Sequence, residues 1–367
     1  MRNRIISVFF CLVLALGIIA GLLTPDKRYS DSEKRRLAQF PTISFAAFTS
    51  GKLGDAIENY LADQFPARDA WVTGKTLVEL AMGKRDVGGV YFAKDGYLIE
   101  KFDSYSATQY KANIAALAAL TKKLDAEGVT LRVMLVPTAV ETLADKLPAF
   151  ATHADQRKLF DYAASRGLHM VDTFETLDAH KDEAIYYKTD HHYTSLGAYY
   201  CYAAWRAQKG ETALPLSAWT HEVLCDNFRG TTYAKVNYPF APYDTIDAYY
   251  RAAAHRVEYN GGASSADSIY AREYLDGKDQ YATFLNSNQA TTVVYGGGDG
   301  KLLIVKDSYA NCFAQFVVDD YAETHLIDPR FYKDAISDYV RENGIDEVLV
   351  LYNLPNFAAD TAAAALR

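Results

Sequence analysis

Asp190, His191 and His192, in the stretch TDHHYTSLGAYY, are residue types that move protons or hold metals. Ser308, in LLIVKDSYAN, is of the type that attacks carbonyl carbon. A serine hydroxyl becomes a useful nucleophile when a neighbouring imidazole takes its proton. A carboxylate on the other ring nitrogen then orients the imidazole and stabilises the imidazolium. Residues two apart in an extended segment project to the same side. Asp190 and His192 are therefore expected to face together, with His192 the base and His191 turned away as support. Two other readings stay open. Imidazole and carboxylate are common zinc and manganese ligands, so the cluster could serve a metal-dependent hydrolase. A serine after a strand is also a common helix N-cap, and Asp–His pairs occur in cores without any catalytic task.

The surrounding pattern predicts how these residues are carried. Ser106 to Glu127 places Ile114, Leu117, Leu120 and Leu124 on one helical face and stops at Gly128. Leu131 to Val136 reads as a strand ended by Pro137-Thr138, followed by a helix near 154–166 and a strand from His169 to Asp172. Thr194 or Ser195 caps a helix running to about Gln208. Leu302 to Lys306 is a short buried strand with a helix from about Tyr309. A strand Thr324 to Asp328, a helix Phe331 to Asn343 and a strand Glu347 to Tyr352 complete the series. Alternating strands and helices imply α/β with a mostly parallel sheet between helical layers. Ligands of such sheets bind beyond the carboxyl ends of the strands, which puts Thr138, Asp172, Ser308, Arg330 and Asn353 on one rim. The oxyanion formed by attack of Ser308 would then face the free N–H groups of the helix that follows.

Upstream of this domain, at 106–367, the sequence divides into three parts. Residues 1–24 hold an uncharged run of 19 residues from Ile5 to Leu23 behind Arg2 and Arg4, just long enough to span a bilayer. It reads as an uncleaved anchor with the body outside the cell, a cleaved secretory signal being the alternative. Residues 25–45 suit a polar stalk. Residues 46–105 show helical spacing broken at Gln64-Phe65-Pro66, then a hairpin around Lys94-Asp95-Gly96. Within 210–300 the chain turns rich in Tyr, Asn, Gly and Asp, which reads as a loop-rich insertion lying over the sheet. A net charge of -8 excludes the basic groove of a nucleic-acid binder. Four cysteines fit neither a disulfide framework nor a zinc site. The 28 tyrosines, five of them (Tyr186, Tyr187, Tyr193, Tyr199 and Tyr200) around the base, invite a sugar-stacking role beside plain packing.

Taken as an ordered string, IYYKTDHHYTSLGAYYCY, SEKRRLAQFP, DQFPARD, FRGTTYAK, YATFLNSN and LLIVKDSYANCF with IDPRFY resemble the DHHW protein family of bacterial cell-surface proteins. That family is related to the alginate O-acetyltransferase group. The resemblance implies an SGNH-hydrolase-like three-layer α/β/α fold and a Ser308–His192–Asp190 triad, with no cofactor. It also implies transfer of an acetyl group to or from hydroxyls of a cell-surface polysaccharide, beside a membrane-bound O-acyltransferase as acyl donor. Lys306-Asp307-Ser308 is similar to the Gly-Asp-Ser of SGNH enzymes without its glycine, and Tyr193 stands where the family name has tryptophan. Asn288, Asn353, Arg330, Tyr193 and Thr138 are the candidates for oxyanion and substrate contacts, with Lys306 and Asp307 in support. The competing expectation is a non-catalytic carbohydrate-binding or envelope-scaffold protein with the same fold.

Overall fold

The computed structural model describes residues 2–30, 35–252 and 254–366, so the part of the expected stalk at 31–34 lies outside the described residues. The chain forms two compact units, residues 1–88 with 233–240 and residues 89–232 with 241–367. The smaller contains helix Arg2–Leu23 and helices Phe45–Thr49, Lys52–Asp63 and Arg68–Ala81. Ser44 caps the second of these through Ala47 N–H, and Pro66, which cannot continue a helix, separates the last two. Among the described residues no helix is long and apolar enough to cross a membrane. The expected anchor therefore has the sequence alone behind it.

In the larger unit an eight-stranded sheet is built from β1 (Thr130–Val136), β2 (His169–Met170), β3 (Arg256–Tyr259), β4 (Ser264–Ala266), β5 (Thr291–Tyr295), β6 (Lys301–Lys306), β7 (Glu323–Ile327) and β8 (Glu347–Asn353). Its order is β4-β3-β5-β7-β6-β8-β1-β2. The five strands from β7 to β2 are parallel, and β5, β3 and β4 extend them antiparallel. The sheet is thus mixed, where a mostly parallel one was expected, because the 210–300 insertion contributes three of its strands. These strands are short and alternate, with Val257 and Tyr259 buried, so they lack the apolar run that marks a parallel strand. They cover the β7 edge, which would otherwise present unpaired backbone groups. The rest of the insertion includes a ribbon pairing Thr220–Phe228 with Asp244–Tyr250.

Both faces of the parallel strands are buried, which gives three layers. Leu302 and Ile304 of β6, with Leu349 and Leu351 of β8, pack under α3 (Ser195–Gln208) and α4 (Tyr309–Phe313). Leu303, Val305, Val348 and Val350 pack under α1 (Ala107–Ala126), α2 (Gln156–Ala164), α5 (Ile336–Asn343) and α6 (Leu354–Ala359). Each such side chain contributes roughly 1.5–3 kcal/mol by leaving water, enough to hold the tips of β6, β7 and β8 in fixed register. After β6 the chain goes first to β7 on one side and then to β8 on the other. The carboxyl end of β6 is thus a switch point where a crevice opens, and Ser308 stands there. Cys201 and Cys312 are free and buried in α3 and α4.

Candidate active site

The tip of β6 and the turn before α3 bring three side chains into line. His192 Nε2 lies 2.8 Å from Ser308 Oγ, and His192 Nδ1 lies 2.5 Å from Asp190 Oδ1. Asp190 is further held by His192 N–H at 3.0 Å, Thr231 N–H at 2.7 Å and the Thr231 hydroxyl at 3.0 Å. Burial works against its charge, but the two histidines and these donors outweigh it and keep Asp190 well below the usual carboxylate range. Burial, with His191 alongside, brings His192 down to about 4 against the opposing pull of Asp190. At neutral pH the ring is therefore uncharged and able to accept a proton, as a general base must.

His191 does not turn away. Its ring packs on that of His192 at 3.8 Å, and its Nδ1 is 2.5 Å from Thr231 Oγ1. The alternation rule fails because the segment is a tight turn: Thr194 N–H donates to Ile185 O, and Tyr187 N–H donates to His192 O. Because the single Thr231 hydroxyl proton goes to Asp190, a neutral His191 donates from Nδ1.

On the nucleophile's side, Asp307 ties the β6 turn to the β8 turn. It accepts from Tyr309 N–H at 2.9 Å, from Asn353 N–H and Nδ2 at 3.2 and 2.8 Å, and from Asn356 Nδ2 at 2.9 Å. The Tyr309 N–H expected to face an oxyanion is thereby occupied. Asn353 is occupied too, since its Oδ1 also caps α6 through Asn356 N–H. Ser308 N–H meets no acceptor among the described residues. Asn288 remains open in the same way: its Oδ1 accepts from Lys306 Nζ at 3.1 Å and Asn311 Nδ2 at 3.4 Å, which turns its NH2 group away from both. Lys306 is buried, and that burial pushes it down to about 8. The loop carrying Asn288 passes through three consecutive left-handed residues, Leu285, Asn286 and Ser287, with φ of 56°, 55° and 68°. Each costs about 1–2 kcal/mol without glycine, and such strain gathers at working sites.

The other expected residues are placed less centrally. Thr138 accepts from Gln156 Nε2 at 2.8 Å and lines a cleft with Asp190, His191, Asn353, Asn356 and residues 98–102. Arg330 grips Asp328 with Nε and Nη2 at 2.8 and 2.5 Å, is partly exposed, and lends positive potential to His192. Tyr193 is fully buried and donates to Tyr309 O at 2.8 Å, so it offers no face to a substrate. Tyr186 and Tyr187 are likewise interior. Asp172 is engaged by Arg157 and by Phe174 N–H.

Three residues that matter here carried no role in the sequence reading. Tyr281 stacks on His192 at 3.8 Å and 10° and donates to Ser308 O at 3.2 Å. Thr231 holds Asp190, and Gly230 lets the two approach: a Cβ on Gly230 would lie 2.1 Å from Asp190 Oδ2. The signal was present as the segments YATFLNSN and FRGTTYAK, but long-range placement is not readable from either.

Asp190 and His192 thus lie to one side of Ser308, at the switch point of a three-layer α/β/α unit with a mixed sheet. The chain belongs to the DHHW protein family, whose model matches residues 76–327. It is similar to a DHHW family protein from Eubacterium siraeum, with TM-score 0.66 and 25% identity over 76% of this chain and 95% of that one. It also shares the fold of Bacillus cereus PatB1, with TM-score 0.61 and 18% identity over 73% and 97%. The O-acetyltransferase domain of Pseudomonas putida AlgJ is a third, with TM-score 0.50 and 14% identity over 75% and 95%. No curated protein matches the chain.

Proposed function

We propose that this protein is a serine O-acetyltransferase or acetylesterase acting on hydroxyls of a cell-surface polysaccharide. The observation that carries this is the hydrogen-bonded line Asp190–His192–Ser308. In this reading Ser308 Oγ attacks the carbonyl carbon of an acyl ester while its proton passes to His192 Nε2. The tetrahedral intermediate collapses, and His192 returns the proton to the departing oxygen, leaving an acyl-enzyme. A sugar hydroxyl, or water, then repeats the steps in reverse, losing its proton to His192 as Ser308 Oγ leaves. Similarity to AlgJ, an O-acetyltransferase domain, supports an acetyl group. The uncharged run from Ile5 to Leu23 supports attachment to the membrane with the larger unit outside the cell. A membrane-bound O-acyltransferase would there supply the acyl donor. Arg330, partly exposed at the rim, and the cleft beside His191 are where substrate contacts are proposed.

Incubation with a small aryl acetate followed by intact-mass measurement tests the assignment. The wild-type chain should gain one acetyl group and Ser308→Ala none. Equal labelling of both, or turnover without a Ser308 adduct, would sink it. Asn288 and Ser308 N–H are the proposed oxyanion donors. Asn288→Asp keeps the acceptor for Lys306 but removes the NH2 group, so turnover should fall roughly 10²–10³-fold, with thermal unfolding little changed. Retention of wild-type turnover would remove Asn288 from the mechanism.

The Asp190–His191–His192 cluster could offer an ion three ligand atoms within 4.8 Å of one another. Asp190 Oδ1 and His192 Nδ1 already bond each other, however, His192 Nε2 bonds Ser308 Oγ, and His191 Nδ1 bonds Thr231. Aryl-acetate turnover is accordingly expected to survive prolonged dialysis against a strong chelator. Loss of activity restored by zinc or manganese would favour the metal-dependent reading instead.

A further inference from the structure

The smaller unit carries a surface its own core does not use. Among the described residues, ten large apolar side chains between positions 40 and 82 are exposed, against five in the whole larger unit. Helix Arg68–Ala81 with its cap Met82 is inverted relative to an ordinary surface helix. Its exposed stripe is Trp71, Val78 and Met82, with Lys75 between them, while Thr76 is buried and donates to Val236 O at 2.6 Å. Thr73 and the Asp69 carbonyl, also on the inner side, bond Asn237. Phe65 abuts Trp71 edge-on at 6.3 Å and is also exposed, and Phe45 and Phe48 are 83% and 70% exposed.

What covers this stripe is indicated by its fastening. Tyr60 donates to Asp26 Oδ1 at 3.0 Å, and Gln64 exchanges hydrogen bonds with the Lys27 backbone at 2.9 Å each way. Asp26 and Lys27 follow the apolar helix Arg2–Leu23 within four residues, a reach of at most about 14 Å. Phe65 comes directly after Gln64. The apolar stripe is therefore pinned beside the exit of the apolar helix. Residues 25–88 hold ten Lys and Arg against nine Asp and Glu, in a chain whose net charge is -8, so this unit is not repelled by anionic lipid. Tryptophan with lysine one turn away suits the headgroup boundary, where the ring buries its body and the lysine reaches back to water.

We propose that this face of the smaller unit docks on a lipid bilayer surface, with Trp71 and Phe65 at the headgroup–acyl boundary. The proposal rests on the membrane attachment put forward above and adds a second contact to it. The test uses the full chain in phosphatidylcholine–phosphatidylglycerol vesicles whose acyl chains are brominated. Trp205 and Trp219 are 0% and 6% exposed, so quenchable tryptophan emission reports Trp71. The expected result is a several-fold drop in the Trp71 component, absent in Trp71→Phe, with that component shielded from aqueous iodide. A chain that floats with the vesicles while Trp71 stays unquenched and open to iodide overturns the docking alone. A chain that does not float overturns both the docking and the membrane attachment.

Discussion

Replacing His192 with alanine should lower aryl-acetate turnover by roughly 10³–10⁶-fold while leaving the fold intact, and Ser308→Ala should cost about as much. The two losses should not add, because each removes the same proton transfer. The base has further company that sharpens the expectation. Tyr281 lies flat on its ring, Asp190 holds one nitrogen and Ser308 the other. The pH profile follows from the sign of the shift. A histidine acts as base only when neutral, and burial with His191 brings His192 down to about 4. Activity should therefore hold steady as pH falls through 6.5, where an ordinary histidine would protonate, and decline only near about 4. A second limb is expected on the alkaline side. Lys306, held down to about 8 by burial and faced by Asp328, Arg330 and Asp307, loses its charge there and with it the firm grip on Asn288. Turnover measured from pH 3.5 to 9.5 against a pH-independent substrate checks both limbs. An acid limb centred near 6.5 would show that His192 is solvated when free and that the buried geometry is not the resting one.

How far the sequence reaches into this site depends on the distance over which each contact acts. The parallel strands were legible because both faces of β6 and β8 are apolar, which the chain states locally. Asp190 and His192 were legible for the same reason: they are two apart. The prediction that His191 points away failed because alternation presumes an extended chain, and here Tyr187 N–H turns back to His192 O within five residues. The three antiparallel strands of the insertion were missed because their partner, the β7 edge, follows them in the sequence and their own pattern is weak. Asn288 was named by analogy, but only the tertiary structure supplies the buried Lys306 that fixes its carbonyl. Tyr281 is invisible to any local rule, since 89 positions separate it from the ring it covers.

Gly230→Ala should be nearly as damaging as loss of the base, although Gly230 has no side chain and touches no substrate. Its backbone is not in the left-handed region, so flexibility is not the reason for glycine. The reason is distance. A Cβ there would stand 2.1 Å from Asp190 Oδ2, 2.3 Å from its Cβ and 2.5 Å from its Cγ. All three lie below any real contact, and the neighbour is not the loose end of a long side chain. Asp190 is buried and bonded to His192 and to both donors of Thr231. Gly230 is itself held from the other side, its N–H on Thr189 Oγ1 at 3.3 Å, and Thr189 is locked by N–H and hydroxyl to Asp244 at 2.8 and 2.6 Å. Neither partner can yield without breaking these bonds, so the methyl group should cost about 1–3 kcal/mol of stability as overpacking. Its larger effect falls on turnover. Pushing the carboxylate off His192 Nδ1 removes what fixes the tautomer, a loss of roughly 10⁴-fold where an aspartate has that task. Asp190→Asn separates the two effects: it should match Gly230→Ala in turnover without the added bulk. The double variant should be little worse in turnover than either single one. If Gly230→Ala keeps wild-type turnover, the close approach of the FRGTTYAK loop to Asp190 is not what orients the base.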